Sequence, residues 1–203
     1  MDGLLITGQS GLVTGTRVAS NLGWRAVEAL SVGDMVLTFD NGMQTVIDIQ
    51  REKIAIPAHL HSKNHLPVFV PKGALANRKD LWLMPEQGLL IESESASDAL
   101  GDPYAVVPAG ALDGFRSISR RAPADQVRVT NLSFASDQVI YVEGGMLAHC
   151  PRPRCILTDV PREDDILYNV LDGPDARFLV ECLIDSHQTR AFSYRPEEVA
   201  SVA

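Results

Sequence analysis

The chain has 203 residues, 45% of them hydrophobic and 22% charged, with a net charge of −8. That length suits one domain with an extension, and the apolar content is enough for a packed core rather than a disordered tail. The acidic balance and the lack of a basic stripe, with only Arg116, Arg120 and Arg121 clustered, exclude nucleic acid as the expected partner. No apolar run approaches the roughly 18 residues of a membrane span, and no basic region precedes an apolar core at the N-terminus. The expectation is therefore a cytoplasmic protein without a membrane anchor, although export as part of a larger system stays open.

In chain order the pattern is strand-like. Residues 16–19 and 24–27 form short extended runs around the turn-prone Ser20-Asn21-Leu22-Gly23. Val36-Leu37-Thr38-Phe39 and the run 44–49 flank Asn41-Gly42, a strong hairpin signal because both residues tolerate positive φ. Residues 67–71 make a short strand bounded by prolines. Leu81-Trp82-Leu83 and Leu89-Leu90-Ile91 enclose a Pro-Glu-Gln-Gly turn, and residues 126–134 and 138–142 supply further strands. Residues 72–77 and 108–112 are the only expected helical turns.

The texture changes at Cys150. Pro151-Arg152-Pro153-Arg154 is stiff and extended, because each proline fixes φ and removes a donor. Residues 166–171 and 176–184, around Asp172-Gly173-Pro174-Asp175, read as a second hairpin. The expected organisation is a lead-in over 1–10, a β domain over 11–150, and an extension over 151–203 that packs on it.

Three blocks carry a family resemblance. Gly15-Thr16-Arg17-Val18, Trp24-Arg25-Ala26-Val27-Glu28-Ala29-Leu30 and Val32-Gly33-Asp34-Met35-Val36-Leu37-Thr38 resemble the opening of bacterial Hedgehog/intein (Hint) domains. Residues 78–87, ending Met84-Pro85-Glu86-Gln87, are similar to the family's segment closing in Ser/Thr-Pro-x-His. Residues 129–150, ending Gly145-Met146-Leu147-Ala148-His149-Cys150, look like its last strands, which close on His-Asn in inteins. The resemblance implies an all-β, pseudo-two-fold Hint fold, here with the C-terminal hairpin appended, whose two ends approach each other.

It also implies a self-processing chemistry. A Cys or Ser at the first position attacks its own preceding peptide bond, a loop His protonates the departing nitrogen, and a closing Asn cyclises to release the second bond. This sequence departs from that scheme at each reactive position. Gly11 stands at the nucleophile position, Met84 at the loop hydroxyl and Gln87 at the loop His. The middle His falls at or near Gln138; His149 matches the penultimate His, but Cys150 replaces the Asn. Ser10 as a substitute nucleophile is expected to point away from the loop, because a one-residue shift on a strand reverses the face. Should the ancestral pocket survive, Gly11→Cys with Gln87→His is expected to revive thioester formation.

Other chemistry-bearing residues have plainer readings. His149, Cys150, Cys155, Cys182 and His187 contain zinc-ligating atoms, but Cys-x4-Cys with prolines inside lacks the tight spacing of a zinc knuckle. An odd cysteine count gives no disulfide framework, so reduced, metal-free cysteines and no cofactor are expected. His59, His61 and His65 fall in a polar, loop-like stretch suited to solvent. A rival alignment would extend the Hint domain to His187-Gln188-Thr189.

Three functions fit these residues. The chain is a Hint module without self-cleavage that binds a protein partner or serves a parent polypeptide, an autoprocessing domain that still cuts at one end, or an unrelated β-rich enzyme or ligand-binding protein.

Overall fold

A computed structural model describes residues 10–56, 63–93, 96, 101–123, 126–152 and 168–185. Among the described residues, fourteen strands form two antiparallel sheets. The first runs in the order β11 (Ser119–Arg120), β7 (Val68–Val70), β8 (Leu81–Leu83), β1 (Leu12–Val13), β12 (Gln126–Ser133), β6 (Asp48–Ala55). The second runs β10 (Tyr104–Pro108), β9 (Gly88–Glu92), β14 (Met146–Cys150), β13 (Gln138–Val142), β2 (Arg17–Ser20), β4 (Met35–Thr38), β5 (Gly42–Thr45), with β3 (Gly23–Ala26) paired to β2.

In both sheets, strands from the start of the chain pair with strands from its end. β1 lies between β8 and β12, while β13 pairs with β14, β2 and β4. This interleaving brings the start of β1 and the end of β14, far apart in sequence, to one place. The Asn41-Gly42 hairpin forms as expected, with Thr38 opposite Gly42 and the Thr38 hydroxyl donating to the Gly42 carbonyl at 2.8 Å. β10 has no counterpart in the sequence reading.

The extension is the main correction. Residues 173–185 are not the second arm of a hairpin; Gly173–Asp185 is a helix, α1. Pro174 sits in its first turn, where a missing N–H costs nothing, and Asp172 caps it by accepting from Asp175 N at 3.3 Å. Ala176, Leu179, Val180 and Leu183 follow the i, i+3, i+4, i+7 spacing of a buried helical stripe, and all four are buried in the main core. Period 3.6, not the β-prone composition of Phe178-Leu179-Val180, decides the element. Upstream, Val170 makes an isolated parallel bridge to Val106 on β10.

The main core joins both sheets and α1 through Leu12, Val18, Val36, Leu83, Leu89, Ala148 and Leu179. A second cluster gathers Val13, Ile56, Met84, Val127 and Val129, and a third Leu90, Val106, Val139, Leu147 and Tyr168. Among the described residues no helix is long and apolar enough to cross a membrane.

Candidate functional site

The loop between β8 and β9 holds the centre of the site. Gln87 N donates to the Met84 carbonyl at 3.0 Å, closing the turn predicted at Pro-Glu-Gln-Gly. The helical turn Ala109–Leu112 clamps it from outside, with Ala109 N on the Gln87 carbonyl at 2.9 Å and Gly110 N on the Pro85 carbonyl at 2.8 Å. Gln87 is thus buried on a rigid loop with its side chain turned inward.

Its amide ties the two ends of the domain together. Gly11 N donates to Gln87 Oε1 at 3.1 Å, and Gln87 Nε2 donates to the His149 carbonyl at 2.9 Å and to the Gly88 carbonyl at 2.9 Å. The approach of the chain ends expected from the resemblance is therefore realised through one side chain. Register explains it: Leu12 pairs with Leu83 just before the loop, and Leu89 pairs with Ala148 just after it. Gly88 permits the close packing, since a Cβ there would lie 2.7 Å from Val106 Cγ1 and 3.1 Å from His149 Cβ.

Gly11 N belongs to the Ser10–Gly11 peptide bond, the bond a first-position nucleophile would attack. Gln87 presents an acceptor oxygen to that nitrogen, the reverse of the proton donor needed to expel it. Gly11 itself has φ +116° and offers no room for a side chain: a Cβ would run into Val129 Cγ1 and lie 2.6 Å from Asn131 Oδ1. The space on which revival by Gly11→Cys with Gln87→His is conditional is filled by Val129 and Asn131. The Met84 side chain is buried in the cluster with Val13 and Val129, so no hydroxyl faces the loop there.

On β14 the side chains alternate. His149 lines a cavity of about 820 Å³, whereas Cys150 is buried in the main core and burial pushes its thiol pKa up to about 12. Such a thiol is a poor nucleophile. Gln138 pairs in register with Cys150, accepts from Asn41 Nδ2 at 3.1 Å and donates to Ser136 Oγ at 2.8 Å. It does not line the cavity. Its neighbour Asp137 does, buried, with Oδ1 accepting from Arg152 N at 2.7 Å. The structure thus brings Gly11, Gln87 and His149 together and leaves Gln138 and Cys150 on another face.

The same cavity takes in Ser10, contrary to its expected orientation, and three residues that the sequence did not single out. Ser10 lines it, with Glu86, Asp137 and Tyr168. The strand alternation that would turn Ser10 away begins only at Leu12, and the positive φ of Gly11 breaks its continuation. Tyr168 stacks edge-on against His149, ring centroids 5.7 Å apart, and its hydroxyl donates to Asp40. Burial, with that hydrogen bond second, pushes the Tyr168 pKa up. Adjacency to Gln87 and Gln138 was the available signal for Glu86 and Asp137.

Of the residues with zinc-ligating atoms, His149 and Cys150 sit on opposite faces of β14 and Cys182 lies on α1, while Cys155 and His187 fall outside the described residues. So do His59 and His61, and the rival junction at His187-Gln188-Thr189. Among the described residues no three His, Cys, Asp or Glu side chains converge as a metal-binding group.

Two antiparallel sheets, with the start of β1 and the end of β14 meeting on the β8–β9 loop, define the architecture of this β protein. The Hint domain profile matches residues 10–147, and the chain belongs to that family. Solved structures similar to it include a bacterial intein-like domain from Clostridium thermocellum, at 13% identity over 69% of this chain and 98% of that one, TM-score 0.49. The gp41-1 intein is similar at 16% identity over 70% of this chain and 99% of that one, TM-score 0.45. No characterised protein sequence gives a significant match.

Proposed function

We propose that this Hint domain has lost self-cleavage and serves as a binding or structural module for a protein partner or a parent polypeptide. One observation carries the reading: the Gln87 amide occupies the space between the two junctions and hydrogen-bonds both, where the family's chemistry needs a proton donor. Gly11 without a nucleophile and Cys150 with a buried, high-pKa thiol agree with it. The test is intact mass of the chain fused to a reporter at each end, incubated with a small thiol or hydroxylamine. Full-length mass alone is expected. Fragments cut at Ser10–Gly11 or His149–Cys150 would overturn the proposal.

A second reading, single-ended autoprocessing, has one observation in its favour. Ser10, His149 and Asp137 line the same cavity, which places a hydroxyl, an imidazole and a carboxylate around one space. Its signature in the same assay is distinct: an ester formed by Ser10 would yield a cut at Gln9–Ser10, abolished by Ser10→Ala.

A further inference from the structure

Residues 168–185, C-terminal to β14, pack on the body of the domain. Among the described residues β10 is the end strand of its sheet, and such an edge presents backbone groups for pairing. Residues 169–171 cover part of it: Val106 N donates to the Asn169 carbonyl at 2.7 Å, and Leu171 N donates to the Val106 carbonyl at 2.9 Å. Asp172 then caps α1, which sets Ala176, Leu179, Val180 and Leu183 into the core shared by both sheets. At the other end Tyr168 is buried against His149 and bonded to Asp40, near the β4–β5 turn. Residues 168–173 also close one side of the cavity that His149 lines.

We propose that residues 168–185 are a built-in ligand of the Hint body, held by strand addition to β10 and by insertion of α1 into the core. The attachment is non-covalent and does not need the backbone between 152 and 168. A chain cut there keeps both pieces together, with His149 still covered. Strand addition supplies main-chain pairing and the apolar stripe supplies burial, the two sources of affinity that peptide-binding sheet edges and helix grooves use separately. Four buried aliphatic positions, at about 1.5–3 kcal/mol for each larger side chain, suffice for tight association once the cost of ordering the segment is met. The inference stands whether or not the domain cleaves itself.

The test uses the full chain with a specific protease site placed within residues 153–167. After digestion, native size-exclusion chromatography should return both pieces in one peak at the elution volume of the uncut protein, and separation of the pieces would overturn the proposal. Leu179→Asp, which forces a charge into the core position, should leave the uncut chain intact by mass and release the C-terminal piece on digestion. Co-elution of that cut variant would equally overturn it. Phe178→Asp, on the exposed side of α1, should behave as the unsubstituted chain. Diethyl pyrocarbonate mapping supplies a second readout: His149 should stay protected in the cut chain and become modified only when Leu179→Asp has released the segment.

Discussion

Gly11→Cys restores the side chain that the family's first step requires, and the structure gives a definite cost for it. The substituted Cβ would meet Val129 Cγ1 and Asn131 Oδ1, the latter at 2.6 Å, and both atoms belong to β12, a central strand paired on each side. Overpacking of that kind costs about 1–3 kcal/mol. The backbone at φ +116° adds about 1–3 kcal/mol for any residue with a Cβ. The sum, about 2–6 kcal/mol, is a large part of the roughly 5–15 kcal/mol that keeps a domain folded. With a urea slope of about 2 kcal/mol per molar, the unfolding midpoint should fall by about 1–3 M. Gly11→Ala shares both costs and should fall nearly as far, which separates sterics from thiol chemistry. Neither variant should yield fragments with thiol reagents, because Gln87 still points its oxygen at the scissile nitrogen. A Gly11→Cys protein with an unchanged midpoint would refute the packing argument. Thiol-dependent cutting at Ser10–Gly11 would refute the chemical one.

Gln87→Ala strands the buried Gly11 N–H and His149 carbonyl, at about 1–3 kcal/mol each, and should speed hydrogen exchange at the Gly11 amide well beyond that of β12 amides. Tyr168→Phe removes the donor to Asp40; a loss of about 1.5–3 kcal/mol with a shifted His149 ring resonance is expected, and an unchanged melting temperature would contradict the contact. Cys150 should resist iodoacetamide at pH 8 in the native protein while the partly exposed Cys182 is alkylated, read by peptide mass spectrometry. The folded Cys150 pKa, about 12, lies above the unfolded value of 9.0, so its contribution is fully present below pH 9 and is lost as pH rises through 12. Between those values the unfolded thiol ionises first and stability should decline by about 1.4 kcal/mol per pH unit, a slope that Cys150→Ala flattens when unfolding is followed against pH.

Local chemistry made most strands legible. Asn41-Gly42 specified a hairpin because both residues accept positive φ, and Leu81-Trp82-Leu83 and Leu89-Leu90-Ile91 flanked a turn that forms where the sequence placed it. The ordered blocks around Gly15-Thr16, Gly33-Asp34 and Met84–Gln87 were enough for the family, since each is a short contiguous pattern. Helix α1 was written in the sequence too, through Pro174 and the spacing of Ala176, Leu179, Val180 and Leu183, but β-prone residue types at 178–184 outweighed the period. What no local pattern contained was the choice between neighbours: Asp137 rather than Gln138 at the cavity, and Ser10 facing it rather than turned away. Those outcomes depend on strand register and on one glycine with φ +116°. The meeting of Gly11, Gln87 and His149 lies further from the sequence still. It requires two sheets to be assembled with early and late strands interleaved, because hydrogen bonds between residues so distant along the chain exist only once the intervening strands have fixed each other's register.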